Sequence, residues 1–317
     1  MPTYSHSRIS SFENCRLQFK FHYIDKVPVE QEDTVETFLG SLVHEALEKL
    51  YKDLQFEKRL SLEDLLAWFR REWAKRWDPA RIKVVRAEYS EENYRAMGER
   101  YLTDYYRRYA PFTQGRTIGL ETQDFLQLDA TRKYHVRIDR FVDAGEGVYE
   151  IHDYKTNTRL KTQEELEADR QLAMYALWVH ENYPEARRVR LVWHFLAFDK
   201  EMVVEKELSA LKALKEEVLA RIDEMESATT FPPTKSALCD WCAYQALCPL
   251  WKHKFVVDAL PPEEFKREDG VRLVDEYAHL KEEEKRLKER LDAVQQRLVA
   301  YGEQHGVSVV YGSSHRA

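Results

Sequence analysis

The chain has 317 residues, 44% hydrophobic and 33% charged. At roughly 100–200 residues per domain, that allows two domains or one elaborated domain, and it excludes a wholly disordered chain. Only 10 Gly and 10 Pro are present, which excludes collagen-like or linker-like architecture, and the net charge of −7 excludes a basic surface overall, so any polyanion must be met by a local basic channel.

The opening stretch, MPTYSHSRISSFENC, contains no apolar segment of the secretory type. The longest clean apolar run, Leu172 to Val179, falls far short of the roughly 20 residues that span a bilayer. A soluble, cytoplasmic protein with no membrane contact is expected. Residues 35–54 place Val35, Leu39, Leu42, Val43, Ala46, Leu47 and Leu50 at helical spacing. A second helix is predicted over 61–77, where Ser61 precedes Glu63 and Asp64. A third is predicted over 89–109, and its 93–109 stretch carries Arg95, Arg100, Arg107 and Arg108 among five tyrosines, which suits either a solvated charged face or the wall of a DNA channel.

The period then changes to that of strands. Residues 118–155 hold three strand-like runs, IGLETQDFLQL, KYHVRIDRFVD and GVYEIHDYKT, with AGEG as a hairpin turn between the last two. A helix over 163–181, strands over 188–198 and 201–206, and a helix over 208–226 complete an α/β pattern: a mixed central sheet flanked by helices. Residues 271–304 are predicted to form one long charged helix. Leu273, Tyr277, Leu280, Glu284, Leu287, Leu291, Val294, Leu298 and Tyr301 alternate spacings of four and three. That heptad seam suits packing along its own chain or against a neighbouring helix, or a homo-oligomer formed through a coiled coil. No phosphate-binding G-x-x-x-x-G-K-[ST] is present, which argues against an ATP-driven motor in this chain.

Three residues carry the chemistry. Asp139 lies near the end of one predicted strand, in VRIDRF, and Asp153 and Lys155 end the next, in IHDYKT. A hairpin brings Asp139 beside Asp153, and the spacing of two puts Asp153 and Lys155 on one face. Two carboxylates are hard oxygen ligands suited to Mg²⁺ or Mn²⁺. A lysine beside them can orient or help deprotonate a water and offset phosphate charge, which points to phosphodiester hydrolysis. A D-x-K triplet alone equally suits a cross-strand ion pair.

Cysteines 239, 242 and 248 form C-x-x-C followed by a third Cys and Pro249, and Cys15 lies far upstream. Four thiolates can hold Zn²⁺ or an iron–sulfur cluster. A zinc ribbon pairs two local C-x-x-C knuckles and only one occurs, so three local ligands with one remote ligand fit [4Fe–4S] better than Zn²⁺.

Six segments in this order, SHSRISSFENCRLQFKF, GSLVHEAL, RIDRF, DYKT, QLAMYAL and CDWCAYQALC, resemble the RecB-type exonucleases of the PD-(D/E)XK superfamily, in the iron–sulfur branch. That branch includes the nuclease module of bacterial helicase–nuclease complexes and the small CRISPR-adaptation exonucleases. The resemblance implies a restriction-endonuclease-like core over 1–250 with a helical insertion at about 55–115, followed by a helical extension with a short strand-like tail over 251–317. It implies that His44, Asp139, Asp153 and the backbone carbonyl of Tyr154 are metal ligands, that Lys155 is the catalytic lysine, and that Gln171 and Tyr175 lie beside the site and contact DNA. Glu121 matches an acidic position often seen in the first strand. The four cysteines match the cluster ligands. The sequence departs from many relatives at Arg16, where Pro is common, and at Arg137, where Gly is common. The expected function is metal-dependent DNA exonuclease activity, with or without endonuclease activity, on single strands or ends in repair, recombination or defence. The alternatives are a nuclease-like subunit that binds DNA ends beside a helicase or other catalytic partner, and a redox-responsive iron–sulfur protein.

Overall fold

The computed structural model of the chain describes residues 1–29, 33–86 and 88–317. They form two compact units, Met1–Tyr244 and Gln245–Ala317.

The first unit begins with β1 (Thr3–Tyr4), α1 (His6–Asn14) and α2 (Arg16–Phe19). Ser5 caps α1 by accepting the Arg8 N–H, which supplies one of the partners a helix start lacks. After β2 (Asp33–Thr34) come α3 (Val35–Gln55), α4 (Leu62–Arg76), β3 (Ile82–Lys83) and α5 (Glu91–Tyr109). The predicted Ser61 cap is present, accepting from the Asp64 N–H. Next are β4 (Arg116–Gln127), β5 (Lys133–Gly145), β6 (Val148–Lys155), α6 (Gln163–Glu167), α7 (Arg170–Asn182), β7 (Arg188–Phe195), β8 (Lys200–Glu205) and α8 (Leu208–Ser227). The helix predicted over 163–181 is therefore two helices. The Asp169 side chain accepts from the Leu172 N–H and pairs with Lys161 at 3.0 Å, so a fresh N-cap restarts the chain in a new direction.

β1, β4, β5, β6, β7 and β8 make one mixed sheet, with β2 and β3 paired apart from it. β5 pairs antiparallel with β4 and β6; β6 pairs parallel with β7, and β7 antiparallel with β8. The β5–β6 turn places Glu146 and Gly147 at positive φ, as the tight hairpin that AGEG predicts requires. Parallel pairing of β6 and β7 needs a crossover, which α6 and α7 supply.

Alternation in the strands builds two cores. Tyr149, Ile151, Leu191, Trp193 and Phe195 face α7 and α8, with Leu172, Met174, Val218 and Ile222 opposite. On the other face Tyr154 joins Leu39, Leu42, Val43, Leu47, Phe69, Trp73 and Tyr101 from α3, α4 and α5. At roughly 1.5–3 kcal/mol per fully buried large apolar side chain, the two faces hold the sheet firmly between helical layers. This is the mixed sheet flanked by helices that the sequence predicts.

The second unit contains α9 (Lys252–Asp258), α10 (Pro262–Phe265) and the long α11 (Asp269–His305). Gly306 ends α11 with a left-handed φ of 64°, the usual glycine stop. No residue of α11 is buried. Beyond it, Tyr311 and Arg316 form one antiparallel bridge. Among the described residues, no helix is long and apolar enough to cross a membrane.

Candidate active site

Strand register gathers the carboxylates. Arg140 pairs with His152 across β5 and β6, so Asp139 comes level with Asp153 one step further on. Leu120 and Thr122 pair with Arg140 and Ile138, so Glu121 comes level with Asp139 on the other side. Three acidic residues thus stand in a row across β4, β5 and β6.

The row sits at a break in the strand pattern. Ile138 packs in the core beneath α7. Arg140, two residues on, lies in the opposite core, its guanidinium 4.0 Å from the Tyr51 ring centroid. Residues two apart on a regular strand share a face, so β5 twists at Asp139. Glu121 itself has φ 44°, a left-handed conformation that costs a non-glycine residue about 1–3 kcal/mol and is found preferentially at functional sites.

α3 brings His44 to this row. His44 Nε2 lies 2.9 Å from the Tyr154 carbonyl oxygen, and Nδ1 lies 3.5 Å from Asp139 Oδ2. The Tyr154 N–H donates to that same Asp139 oxygen at 2.9 Å. Gly40, one turn before His44, permits the approach of α3, because a Cβ there would stand 3.1 Å from Thr156 Oγ1. Lys155 Nζ donates to Asp153 Oδ1 at 2.9 Å and lies 2.7 Å from Oδ2. Only the first contact has hydrogen-bond geometry; Asp153 Oδ2 is buried and has no hydrogen-bond donor. On α7, Gln171 Nε2 donates to the Tyr175 hydroxyl at 3.3 Å.

Ligand chemistry follows from these spacings. His44, Glu121 and Asp139 each offer a donor atom within 4.8 Å of the others. The 2.9 Å between His44 Nε2 and the Tyr154 carbonyl suits a hydrogen bond. It equally suits two adjacent ligands of an octahedral ion, which stand about 2.9 Å apart when each bond is about 2.0–2.1 Å. The residues present therefore fit a divalent metal. The grouping differs from the ligand set that the family resemblance implies, since Glu121 joins His44 and Asp139 while Asp153 is engaged by Lys155. A cleft of about 430 Å³, lined in part by His44, Glu121 and Arg137, opens at the Glu121 end of the row. Arg137 pairs with Glu121 at 2.9 Å, so the residue that departs from many relatives holds an acidic member of the site.

Burial raises the Asp139 carboxyl to about 6, with the neighbouring charge of Asp153 adding to the rise. Burial pushes the Lys155 ammonium down, but the carboxylates of Asp153 and Asp139 outweigh it, and its pKa rises. Tyr175 is raised by burial, and the charges of Asp153 and Asp139 add to the effect. Beneath the row, Arg140 donates to His152, His152 contacts His194, and the Tyr105 and Tyr154 hydroxyls share a hydrogen bond of 3.1 Å. Burial, then the charge of Arg140, keeps His152 neutral. This buried network fixes the Tyr154 ring, and with it the backbone that holds Asp139 and His44.

One consequence is a pH-dependent cost of ionising Asp139. A carboxyl raised in the folded state contributes its stability below the unfolded pKa, about 4, and loses it as the pH rises through about 6. At pH 8 without divalent metal, Asp139→Asn should raise the melting temperature by a few degrees and flatten its decline between pH 4 and 7. A variant melting at or below the parent at pH 8 would show that the charge at Asp139 is not costly. Among the sequence-expected residues, the structure brings His44, Asp139, Asp153, Tyr154 and Lys155 together, with Gln171 and Tyr175 alongside. Gly40 and the twist at Asp139 were not anticipated; the small residue four before His44 was the available signal.

Three of the cysteines, Cys15, Cys239 and Cys242, belong to the first unit. The Cys15 Sγ accepts the Thr234 N–H at 3.5 Å, and the Cys239 thiol lies 3.8 Å from the Thr234 carbonyl oxygen. Ser236 N–H donates to Cys239 Sγ at 3.3 Å. All four thiols are half-exposed and none is in a disulfide. Among the described residues, the three cysteines of the first unit, Cys15, Cys239 and Cys242, are not gathered within 4.8 Å of one another as His44, Glu121 and Asp139 are.

The sequence pattern of the PD-(D/E)XK nuclease superfamily matches residues 3–249. Among solved structures, the chain is similar to an exonuclease candidate from Eubacterium rectale, with 14% identity and a TM-score of 0.44 over 78% of this chain and 86% of that one. It is also similar to the structure of SSO0001, with 16% identity and a TM-score of 0.31 over 74% and 94%. Likenesses this distant carry no argument about function. No curated protein matches the chain.

Proposed function

The chain belongs to the PD-(D/E)XK nuclease superfamily, and from that premise we propose that it is a divalent-metal-dependent deoxyribonuclease of the RecB-type, iron–sulfur branch. It hydrolyses phosphodiester bonds in single-stranded DNA or at DNA ends, in repair, recombination or defence. One observation carries the reading: the row of Glu121, Asp139 and Asp153 at a strand distortion, with His44 above it and Lys155 paired to Asp153.

His44, Asp139, Asp153 and the Tyr154 carbonyl, with Glu121, would hold Mg²⁺ or Mn²⁺. Bound there, such an ion lowers the pKa of a water and offsets charge on the attacking and leaving oxygens. The protein groups do the rest. Lys155, anchored by Asp153, donates toward the attacking water and meets the phosphate charge. Gln171 and Tyr175 hold the strand beside the carboxylates. The buried network under Tyr154 keeps the ligands from relaxing apart, and positioning of this kind is the major protein contribution to phosphate-ester chemistry.

We further propose that Cys15, Cys239 and Cys242, with Cys248 as the fourth ligand on sequence spacing, bind a [4Fe–4S] cluster. Cys15 and Cys239 each accept a backbone N–H bond, a contact that cluster-ligating sulfurs use. A cluster spreads its ligands over four irons, so it needs no close gathering around one ion.

DNA as partner has a direct test. With a net charge of −7, attraction must come from a local channel and must be screened. Affinity for a fluorescent single strand, measured in EDTA, should fall by roughly tenfold or more between about 50 and 200 mM salt. An affinity unchanged over that range would remove DNA as the substrate. Salt-dependent binding with no cleavage under any divalent metal would leave an end-binding subunit in its place.

A further inference from the structure

A second cleft, of about 360 Å³, opens beside the carboxylate row, lined by the start of α3, by α5 and by the Thr156–Asn157–Thr158 segment that follows Lys155. None of its lining residues belongs to the row, yet the two clefts adjoin. Gly40 lines the first, Thr156 lines the second, and a Cβ on Gly40 would stand 3.1 Å from Thr156 Oγ1. His44 and Thr37 are separated by roughly 10 Å along α3, within reach of neighbouring nucleotides of one strand.

The chemistry of this cleft is mixed in a specific way. Its floor is made of Tyr94 and Tyr101, both buried. Tyr89 is 36% exposed and stands edge-on to Tyr94 at 5.7 Å, which leaves its ring available to a ligand. At the mouth, Arg86 donates to Thr158 Oγ1 at 3.5 Å, and Asn157 adds an amide able both to donate and to accept. The Tyr94 hydroxyl donates to Glu36 at 2.6 Å, so the floor is locked in place. An apolar bed, one accessible aromatic face and a polar rim in a cavity of this size describe a small-ligand site.

We propose that this cleft receives one nucleobase of a single-stranded DNA substrate, stacked on Tyr89 with its polar edge toward Asn157, beside the phosphate being cleaved. The inference rests on the nuclease reading and adds a reason for single-strand preference. A base held in a duplex is stacked and paired, and only an unstacked base enters such a cleft without an unpairing cost. Arg86 at the mouth supplies positive charge for the flanking backbone.

The test uses the full chain and a short fluorescent single strand, with binding read by anisotropy in EDTA. The same strand is prepared with one abasic residue at each successive position. Tyr89→Ala should weaken binding of the intact strand by roughly five- to a hundredfold, as loss of one stacked base does. One abasic position should cost the parent protein a similar factor. Variant and abasic strand combined should lose no more than either alone, because both remove the same contact. Parental affinity in Tyr89→Ala, or losses that multiply at every abasic position, would overturn the proposal. Cleavage by the parent protein with Mn²⁺ is scored separately. Cleavage with a neutral Tyr89→Ala removes the base cleft and leaves the nuclease. Non-additive losses without cleavage leave the base cleft and remove the nuclease.

Discussion

Asp153→Asn and Lys155→Ala should each reduce DNA cleavage by roughly a hundred- to ten-thousandfold, the range seen when a positioned acid–base or electrostatic group is lost. Asp153 is 7% exposed, and the amide keeps its shape while removing the charge that anchors Lys155. Lys155→Ala removes the cation and leaves Asp153, with its undonated Oδ2, unpaired. Folding should survive in both, since neither side chain belongs to the apolar clusters; circular dichroism and melting curves check this. DNA affinity in EDTA should change far less than the cleavage rate in Asp153→Asn. Parental rates in both variants would place the chemistry elsewhere.

Cys15→Ala should cost the protein its colour and several degrees of stability. Anaerobically purified protein should be brown, with iron and sulfide near four each per chain, as the proposed cluster requires. A centre joining Cys15 to the cysteines at 239 and 242 closes a very long loop and restrains the unfolded chain by a few kcal/mol. Its loss should lower the melting temperature by roughly 5 °C or more. Preference between Mg²⁺ and Mn²⁺ should stay as it is, because Cys15 is not among the residues grouped to hold that ion. Stoichiometric zinc in protein made anaerobically with ample iron would overturn the cluster, and a colourless variant of parental stability would show that it is no structural clamp.

Much of this was legible before any fold was drawn. The D-x-K triplet, the strand carrying Asp139 and the hairpin between them are local patterns with period two, and β5 and β6 follow them closely. His44 could be placed on the apolar side of α3 by helical spacing. Other features depend on tertiary register, which local pattern does not encode. Glu121 becomes a neighbour of Asp139 only because β4 pairs with β5 in one register, and its left-handed φ has no signature in an ordinary Glu. The twist that sends Ile138 and Arg140 to opposite cores is equally invisible. The Arg and Tyr pattern of α5 suits a solvated charged face or a DNA-channel wall, but Tyr94, Tyr101 and Tyr105 are buried. The exposed ring is Tyr89, just outside the helix. The break at Asp169 is hidden in the sequence, because the side-chain cap that restarts α7 uses a residue equally at home on a helix surface.

Digestion of end-labelled single- and double-stranded DNA, with Mg²⁺, with Mn²⁺ and with EDTA, tests the central claim most directly. The account predicts shortening of the single strand, or of strands at duplex ends, with either metal, none in EDTA, and none from Asp153→Asn under any condition. Intact DNA with both metals, or cleavage that persists in EDTA, would contradict it.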